Sequence, residues 1–259
     1  MLGQINEYSV QNRQILVWTP STELLTTDPW LLVMLDGENV FYPQRSHFNK
    51  AWQVQDVIAQ MDSTNFDPPI IVAIDNGSNS RYSDYAPQDL LDVNPEVLGT
   101  FEGYLGIDRS YAPTGNKFQS FLQLELFNYL ERKLSTTFIP KQTAILGASM
   151  GAIGSLVAAI KSPNRFEMAI AMSTGWPALG ETGTRLLIEQ LPKKTKYWFD
   201  QGDVGLDAEF LPLQKYADQL FVVNGLDVHT QVFKDANHDE ISWAQRLPQA
   251  LLWWQTKQK

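Results

Sequence analysis

Thr143-Ala144-Ile145-Leu146-Gly147-Ala148-Ser149-Met150-Gly151-Ala152-Ile153-Gly154-Ser155 runs from a strand pattern into a helix pattern through a serine flanked by small residues. Its first four residues are apolar or β-branched and of strand length, and the pattern from Ala152 to Lys161 has helical spacing. Between them stands a Gly-x-Ser-x-Gly with no room for a loop. A strand that turns straight into a helix crowds the backbone at the turn. The residues around the serine must then be glycine or small, while its hydroxyl projects above the sheet. Gly147, Gly151, Gly154 and Ser155 meet that demand. The motif in this setting points to Ser149 as an exposed nucleophile; the competing reading is a tight helix start with Ser149 as its capping residue.

Outward from this turn, short apolar runs recur at residues 15–19, 30–35, 70–74, 168–172, 197–199 and 230–233. Segments with helical spacing lie between several of them, at 51–61, 118–134, 208–220 and 240–254. Strands alternating with helices predict an α/β fold, a mostly parallel sheet covered on both faces. Runs 30–35 and 70–74 are apolar without alternation, as strands buried on both faces are, and should be central. Runs 15–19 and 30–35 are joined through 20–29, too short for a helical crossover, which predicts an antiparallel hairpin at one edge. Residues 76–111 are rich in Gly, Pro, Asn and Ser without a sustained period and read as a long loop over the edge of the sheet. Loops of that length are usually functional. No repeat or linker divides the chain, so residues 1–259 are expected to form a single domain.

Composition narrows the function. A hydrophobic fraction of 44%, with eight Trp, thirteen Phe and nine Tyr, supplies a packed interior. The net charge of −9, from 29 acidic and 20 basic residues spread along the chain, disfavours nucleic acid and anionic lipid as partners. With no Cys, thiolate nucleophiles, disulfides and Cys-based metal sites are excluded. No His pair is spaced for zinc. The amino terminus lacks the basic start and apolar run of a secretory signal, and no stretch of ~18 unbroken apolar residues follows, so no membrane span is expected. The simplest expectation is a cytoplasmic protein.

A serine hydroxyl needs a base to attack at neutral pH, and after a Gly-x-Ser-x-Gly elbow that base is a His arriving late in the chain, after an acidic residue. Of the three His, His238 lies in Asp235-Ala236-Asn237-His238-Asp239, between the last strand and the last helix. His47 precedes the serine and is expected at most at the mouth of the cleft; His229 begins a strand. The acid should follow the strand at 197–199. Asp200 should still be on that strand and Glu209 already inside the next helix, which leaves Asp207 at the loop-to-helix junction and Asp203 just past Gly202. Asp207 is preferred and Asp203 stays open. The developing oxyanion needs two fixed N–H donors. Met150 N–H, after the nucleophile and at a helix start, is one; Glu38 N–H, in Leu35-Asp36-Gly37-Glu38-Asn39, is the other, with Gly37 letting the backbone turn inward.

These motifs resemble the esterase D family of the α/β-hydrolases, which includes enterochelin esterases, feruloyl esterases, S-formylglutathione hydrolases and mycolyltransferases. The resemblance runs nearly end to end. It rests on Val33-Met34-Leu35-Asp36-Gly37-Glu38-Asn39 with Phe41, on Ile74-Asp75-Asn76 with Arg81, Asp84, Tyr85 and Pro87, on Gly147-Ala148-Ser149-Met150-Gly151, and on His238 with Trp243. It implies an α/β-hydrolase fold of about eight strands with no large lid, a small-molecule ester as substrate, and no metal or organic cofactor. By the same resemblance Ser149 is the nucleophile, His238 the base, and Glu38 and Met150 the oxyanion donors. The family often has Gly where this chain has Ala152. Its acid falls at varying offsets from the Gly matching Gly202, which leans to Asp207 over Asp203.

Two further features bear on the substrate. Trp176, in Ser173-Thr174-Gly175-Trp176-Pro177, is either a wall of the substrate pocket or a packing aromatic. Tyr82, Tyr85 and Tyr104 either contact an aromatic or glycosidic ester or anchor their segment to the domain. Acyl transfer to an alcohol in place of water stays open, and a binding module that kept the fold without activity is the reading from a different class.

Overall fold

The computed structural model of the protein describes residues 3–21, 27–61, 66–77, 80–106 and 112–256. Among the described residues eight strands form one sheet in the order β1-β2-β4-β3-β5-β6-β7-β8. They are β1 (Gly3–Val10), β2 (Arg13–Pro20), β3 (Leu31–Leu35), β4 (Ile70–Ile74), β5 (Thr143–Ala148), β6 (Met168–Met172), β7 (Lys196–Gly202) and β8 (Asp227–Phe233). From β4 to β8 every neighbouring pair is parallel, while β1–β2 and β2–β4 are antiparallel. The α/β class and its antiparallel edge are as the sequence predicts.

The make-up of that edge is different. The run at 15–19 does not pair with the run at 30–35; β4 stands between them. β2 is closed instead by β1, through a two-residue turn at Gln11 and Asn12, both with positive φ (48° and 64°). Two consecutive left-handed residues match the right-handed twist of a tight hairpin, and Asn tolerates that region. β1 is missing from the sequence reading because its Gln4, Asn6, Glu7 and Ser9 dilute any apolar run. β3 is buried at all five positions, which suits the middle of the sheet and not an edge.

Helices cover both faces. On one side α1 (Val54–Ala59) and α10 (Glu240–Thr256) pack Val54, Ile58, Leu247, Leu251 and Trp254 onto Leu32, Met34, Ile71, Leu146, Ile170 and Trp198. On the other side α2 (Arg81–Tyr85), α3 (Gln88–Val93), α4 (Pro95–Leu105), α5 (Gly115–Ser120), α6 (Phe127–Leu134), α7 (Met150–Lys161), α8 (Gly180–Ile188) and α9 (Leu206–Asn224) cover Val33, Leu35, Val72, Ile74, Ile145, Ala169 and Phe199. The alternation of strand residues between two separate clusters is the period-two pleat expressed as two cores. Segment 76–111 is therefore not a plain loop. Its described part holds α2, α3 and α4, the first two too short to show a period; residues 78–79 and 107–111 lie outside the described residues. Among the described residues no helix is long and apolar enough to cross a membrane.

The carboxyl ends of the parallel strands all open on one edge. After β3 the chain steps to β4 on one side and then to β5 on the other, so a crevice forms between the loops that follow β3 and β5, where sheets of this class bind ligands.

Candidate active site

Ser149 stands directly at that crevice, between β5 and α7, with φ 56° and ψ −123°. This is strained for a residue with a Cβ and costs about 1–3 kcal/mol. The turn is held by its backbone: Ser149 N–H donates to Met172 O at 3.0 Å, and Ser149 O accepts from Ala152 N–H and Gly175 N–H, each at 3.1 Å. The small residues are required for the reason the sequence suggests. A Cβ on Gly147 would lie 2.0 Å from the Gly151 carbonyl oxygen, and one on Gly154 would press against Leu35 and the Tyr85 ring at 3.0 Å. The Ser149 side chain makes no capping hydrogen bond to α7, so the helix-cap reading does not describe it. Its hydroxyl lines a cleft of about 970 Å³.

His238 lines the same cleft. Its ring lies between the edges of Phe210 (5.1 Å) and Trp243 (5.0 Å), and its Nδ1 is 2.6 Å from Asp207 Oδ1. Asp207, in the first turn of α9, is fully buried. Its Oδ2 accepts from Gly202 N–H and Ser173 Oγ–H, both at 2.7 Å. Burial by itself pushes this carboxyl up; the hydrogen bond and charge of His238, with the donations from Ser173 and Gly202, outweigh it and hold Asp207 below the usual carboxylate range. A Cβ on Gly202 would fall 2.1 Å from Ala236 O and 2.6 Å from Asp207 Oδ2, so only glycine lets the His238 loop close on Asp207. Asp203 lies elsewhere: its Oδ1 accepts Asp235 N–H at 2.7 Å and braces that loop.

The loop after β3 is a 3-10 turn, Gly37–Asn39. The residue that turns left-handed there is Asp36, with φ 55°, and not Gly37. Gly37 is needed for a different reason, because a Cβ would meet the β4 backbone at Ile74 at 2.6 Å. Asp36 is pinned by Arg81, Nε to Oδ1 at 2.7 Å and Nη2 to Oδ2 at 2.8 Å, by Asn76 Nδ2 at 2.8 Å, and by its own N–H donating to Tyr85 Oη at 3.0 Å. These contacts set where the Glu38 backbone sits at the cleft. The Glu38 carboxylate accepts Asn76 N–H at 3.2 Å; burial first, and the charge of Asp36 next, raise it to about 7. Across the cleft, Met150 opens α7, where first-turn N–H groups have no partner within the helix.

Trp176 is not a cleft wall. It is fully buried among Phe199 and Phe221, with Nε1–H on Gln214 Oε1 at 2.9 Å, and the strand-end turn at 173–176 leads the chain down into the core beneath the crevice edge. Tyr85 is likewise buried, whereas Tyr82 and His47 line the cleft together with the stacked pair Trp52 and Trp243, 5.7 Å apart. Tyr104 packs on Phe210, and His229 stacks on Trp198 at 4.3 Å. Sequence reading missed the buried group behind Asp207, namely Ser173, Arg246 and Asp200. The available signal was Arg246 itself, a charge three residues from Trp243 and next to Leu247 on the buried face of its helix. Among the described residues no group of His, Asp and Glu is arranged to hold a metal ion.

The family model described as "Putative esterase" matches residues 11–254. The chain belongs to the esterase family. Similar solved esterase structures include the enterobactin esterase FES from Shigella flexneri in the presence of enterobactin, with a TM-score of 0.69 and 16% identity over 99% of this chain and 59% of that one. A ferulic acid esterase superposes with a TM-score of 0.68 and 18% identity over 98% of both chains. The enterobactin and salmochelin hydrolase IroE gives 0.63 and 15%, over 97% of this chain and 94% of that one. The chain thus spans about three fifths of the Shigella flexneri protein and nearly all of the other two. At these identities the likeness is one of fold. No curated protein matches the chain.

Proposed function

We propose that this esterase is a serine carboxylic-ester hydrolase in which Ser149 attacks the ester carbonyl, His238 takes the Ser149 proton and returns it to the leaving alcohol, and Asp207 orients the imidazole and balances its charge. The N–H groups of Glu38 and Met150 hold the oxyanion of the tetrahedral intermediate, and an acyl-enzyme forms that water, activated by His238, then hydrolyses. The observation that carries this reading is the 2.6 Å contact of His238 Nδ1 with a buried Asp207, on a ring sharing its cleft with a serine strained into a strand-to-helix elbow. A cleft of about 970 Å³ walled by Trp52, Trp243 and Tyr82 suits a small-molecule ester with an aromatic portion. The named substrates of the similar structures, enterobactin and ferulic acid esters, are of that kind.

The test is hydrolysis of p-nitrophenyl acetate and butyrate by the parent protein, Ser149→Ala and His238→Ala. Both variants are expected to lose about 10³-fold or more in kcat while keeping the parent's circular dichroism. Undiminished turnover in Ser149→Ala overturns the proposal.

A further inference from the structure

Behind Asp207, outside the cleft, buried polar side chains converge from three elements. Ser173, just after β6, accepts from Trp243 Nε1–H at 2.8 Å and Arg246 Nη2–H at 2.9 Å while donating to Asp207. Arg246, on α10 and 2% exposed, sets its guanidinium between two carboxylates, with Nη1 3.5 Å from Asp207 Oδ2 and Nε 3.3 Å from Asp200 Oδ1. Asp200, on β7 and fully buried, takes Trp198 Nε1–H at 2.8 Å on its other oxygen. A sheet-to-helix contact does not call for this. Apolar side chains fill such a space at less cost, because each buried charge gives up its hydration. Two carboxylates and one guanidinium leave one net negative charge, and the group that meets it at the cleft is His238.

We propose that Asp200 and Arg246 are positioning residues that set the strength of His238 as a base through Asp207: Arg246 fixes the Asp207 carboxylate and offsets its charge, and Asp200 restores the negative charge that Arg246 offsets. This inference rests on the roles proposed above for His238 and Asp207. The charges that bear on Asp200 are Arg246 from α10 and Asp207 from α9, with His229 of β8 stacked on the Trp198 that holds it. Around His238 stand Asp207, then Glu38 and Glu240 on the cleft wall, and Asp239, which pairs with Lys50 at 2.9 Å. Burial raises the Asp200 carboxyl to about 6 against the pull of Arg246 and the Trp198 hydrogen bond, so Asp200 is charged at pH 8 and half protonated near pH 6.

The experiment is an NMR pH titration of the His238 ring, assigned against His238→Gln, in the parent protein, in Asp200→Asn and in the double variant Asp200→Asn, Arg246→Gln. The acid limb of kcat/KM for p-nitrophenyl butyrate is recorded beside it. Asp200→Asn removes the net negative charge behind the imidazole, so the ring titrates about one pH unit lower, and the acid limb moves with it. The double variant restores that charge and brings the midpoint back to within roughly 0.3 unit of the parent. A packing role alone would lower the melting temperature, leave the His238 midpoint in place, and make the double variant worse than the single. An unmoved midpoint in Asp200→Asn, or a folded double variant that does not recover it, overturns the proposal; if the double variant does not fold, the Asp200→Asn titration decides by itself. The ring titration needs no turnover, so absence of ester hydrolysis in every form would count against the proposed function and not against this inference.

Discussion

Replacing Ser173 with alanine deletes one hydroxyl and the hydrogen bonds it makes with Asp207, Trp243 and Arg246 at 2.7–2.9 Å, all in a fully buried place. Donation to the ionised Asp207 is worth about 1.5–3 kcal/mol, and leaving Trp243 Nε1–H buried without an acceptor costs about 1–3 kcal/mol. Arg246 keeps both carboxylates and adds least. The loss comes to about 3–5 kcal/mol, which in a chain of this size lowers the melting temperature by about 10–15 °C. The same residue carries its own control. Ser173 sits at φ 45°, where a Cβ costs roughly 1 kcal/mol that glycine does not incur. Ser173→Gly loses the same hydrogen bonds and recovers that strain, so it should melt about 3 °C above Ser173→Ala. Differential scanning calorimetry of the three proteins at one pH and ionic strength reads both numbers. A fall below about 3 °C in the alanine variant would mean that the Ser173 hydroxyl does not hold Asp207 and Trp243, and an alanine variant melting above the glycine one would mean that position 173 carries no backbone strain.

Ser149→Gly relieves the strain at φ 56° and ψ −123°, so the protein should melt a few degrees higher while losing p-nitrophenyl ester hydrolysis; a lower melting temperature would mean that the elbow holds no strain. Glu38, raised from 4.5 to about 7, takes up a proton on folding between those values, so its contribution to stability grows as pH falls through 7 and is complete below 4.5. The melting temperature should therefore rise from pH 8 to pH 5.5 by more in the parent than in Glu38→Gln, and equal rises would dismiss the shifted carboxyl.

The features legible in the sequence are those governed by neighbours along the chain. The elbow at Ser149 follows from sterics over five residues, and the parallel strands from apolar runs whose partners lie on both faces. His238 stands out as a late loop between strand and helix. Side-chain chemistry across the fold is another matter. His238 and Asp207 are 31 residues apart, Arg81 and Asp36 are 45, and Arg246 and Ser173 are 73. Position along the chain favours Asp207 without excluding Asp203, since both are acids near the start of one helix; in the structure Gly202 lets the His238 loop approach the Asp207 carboxylate and leaves Asp203 to brace Asp235. Trp176 reads the same from sequence whether it walls a cleft or fills a core, and only the packing of Phe199 and Phe221 against it decides. The place of β2 beside β4 was likewise beyond the sequence, since β3 and β4 are equally apolar and buried at all five positions, and an antiparallel strand can close on either until the strand order is set. Local sterics and periodicity thus determined which elements form and where the serine stands, while the partners of each buried charge were decided by tertiary packing, because long-range contacts depend on strand order and helix placement that no short stretch encodes.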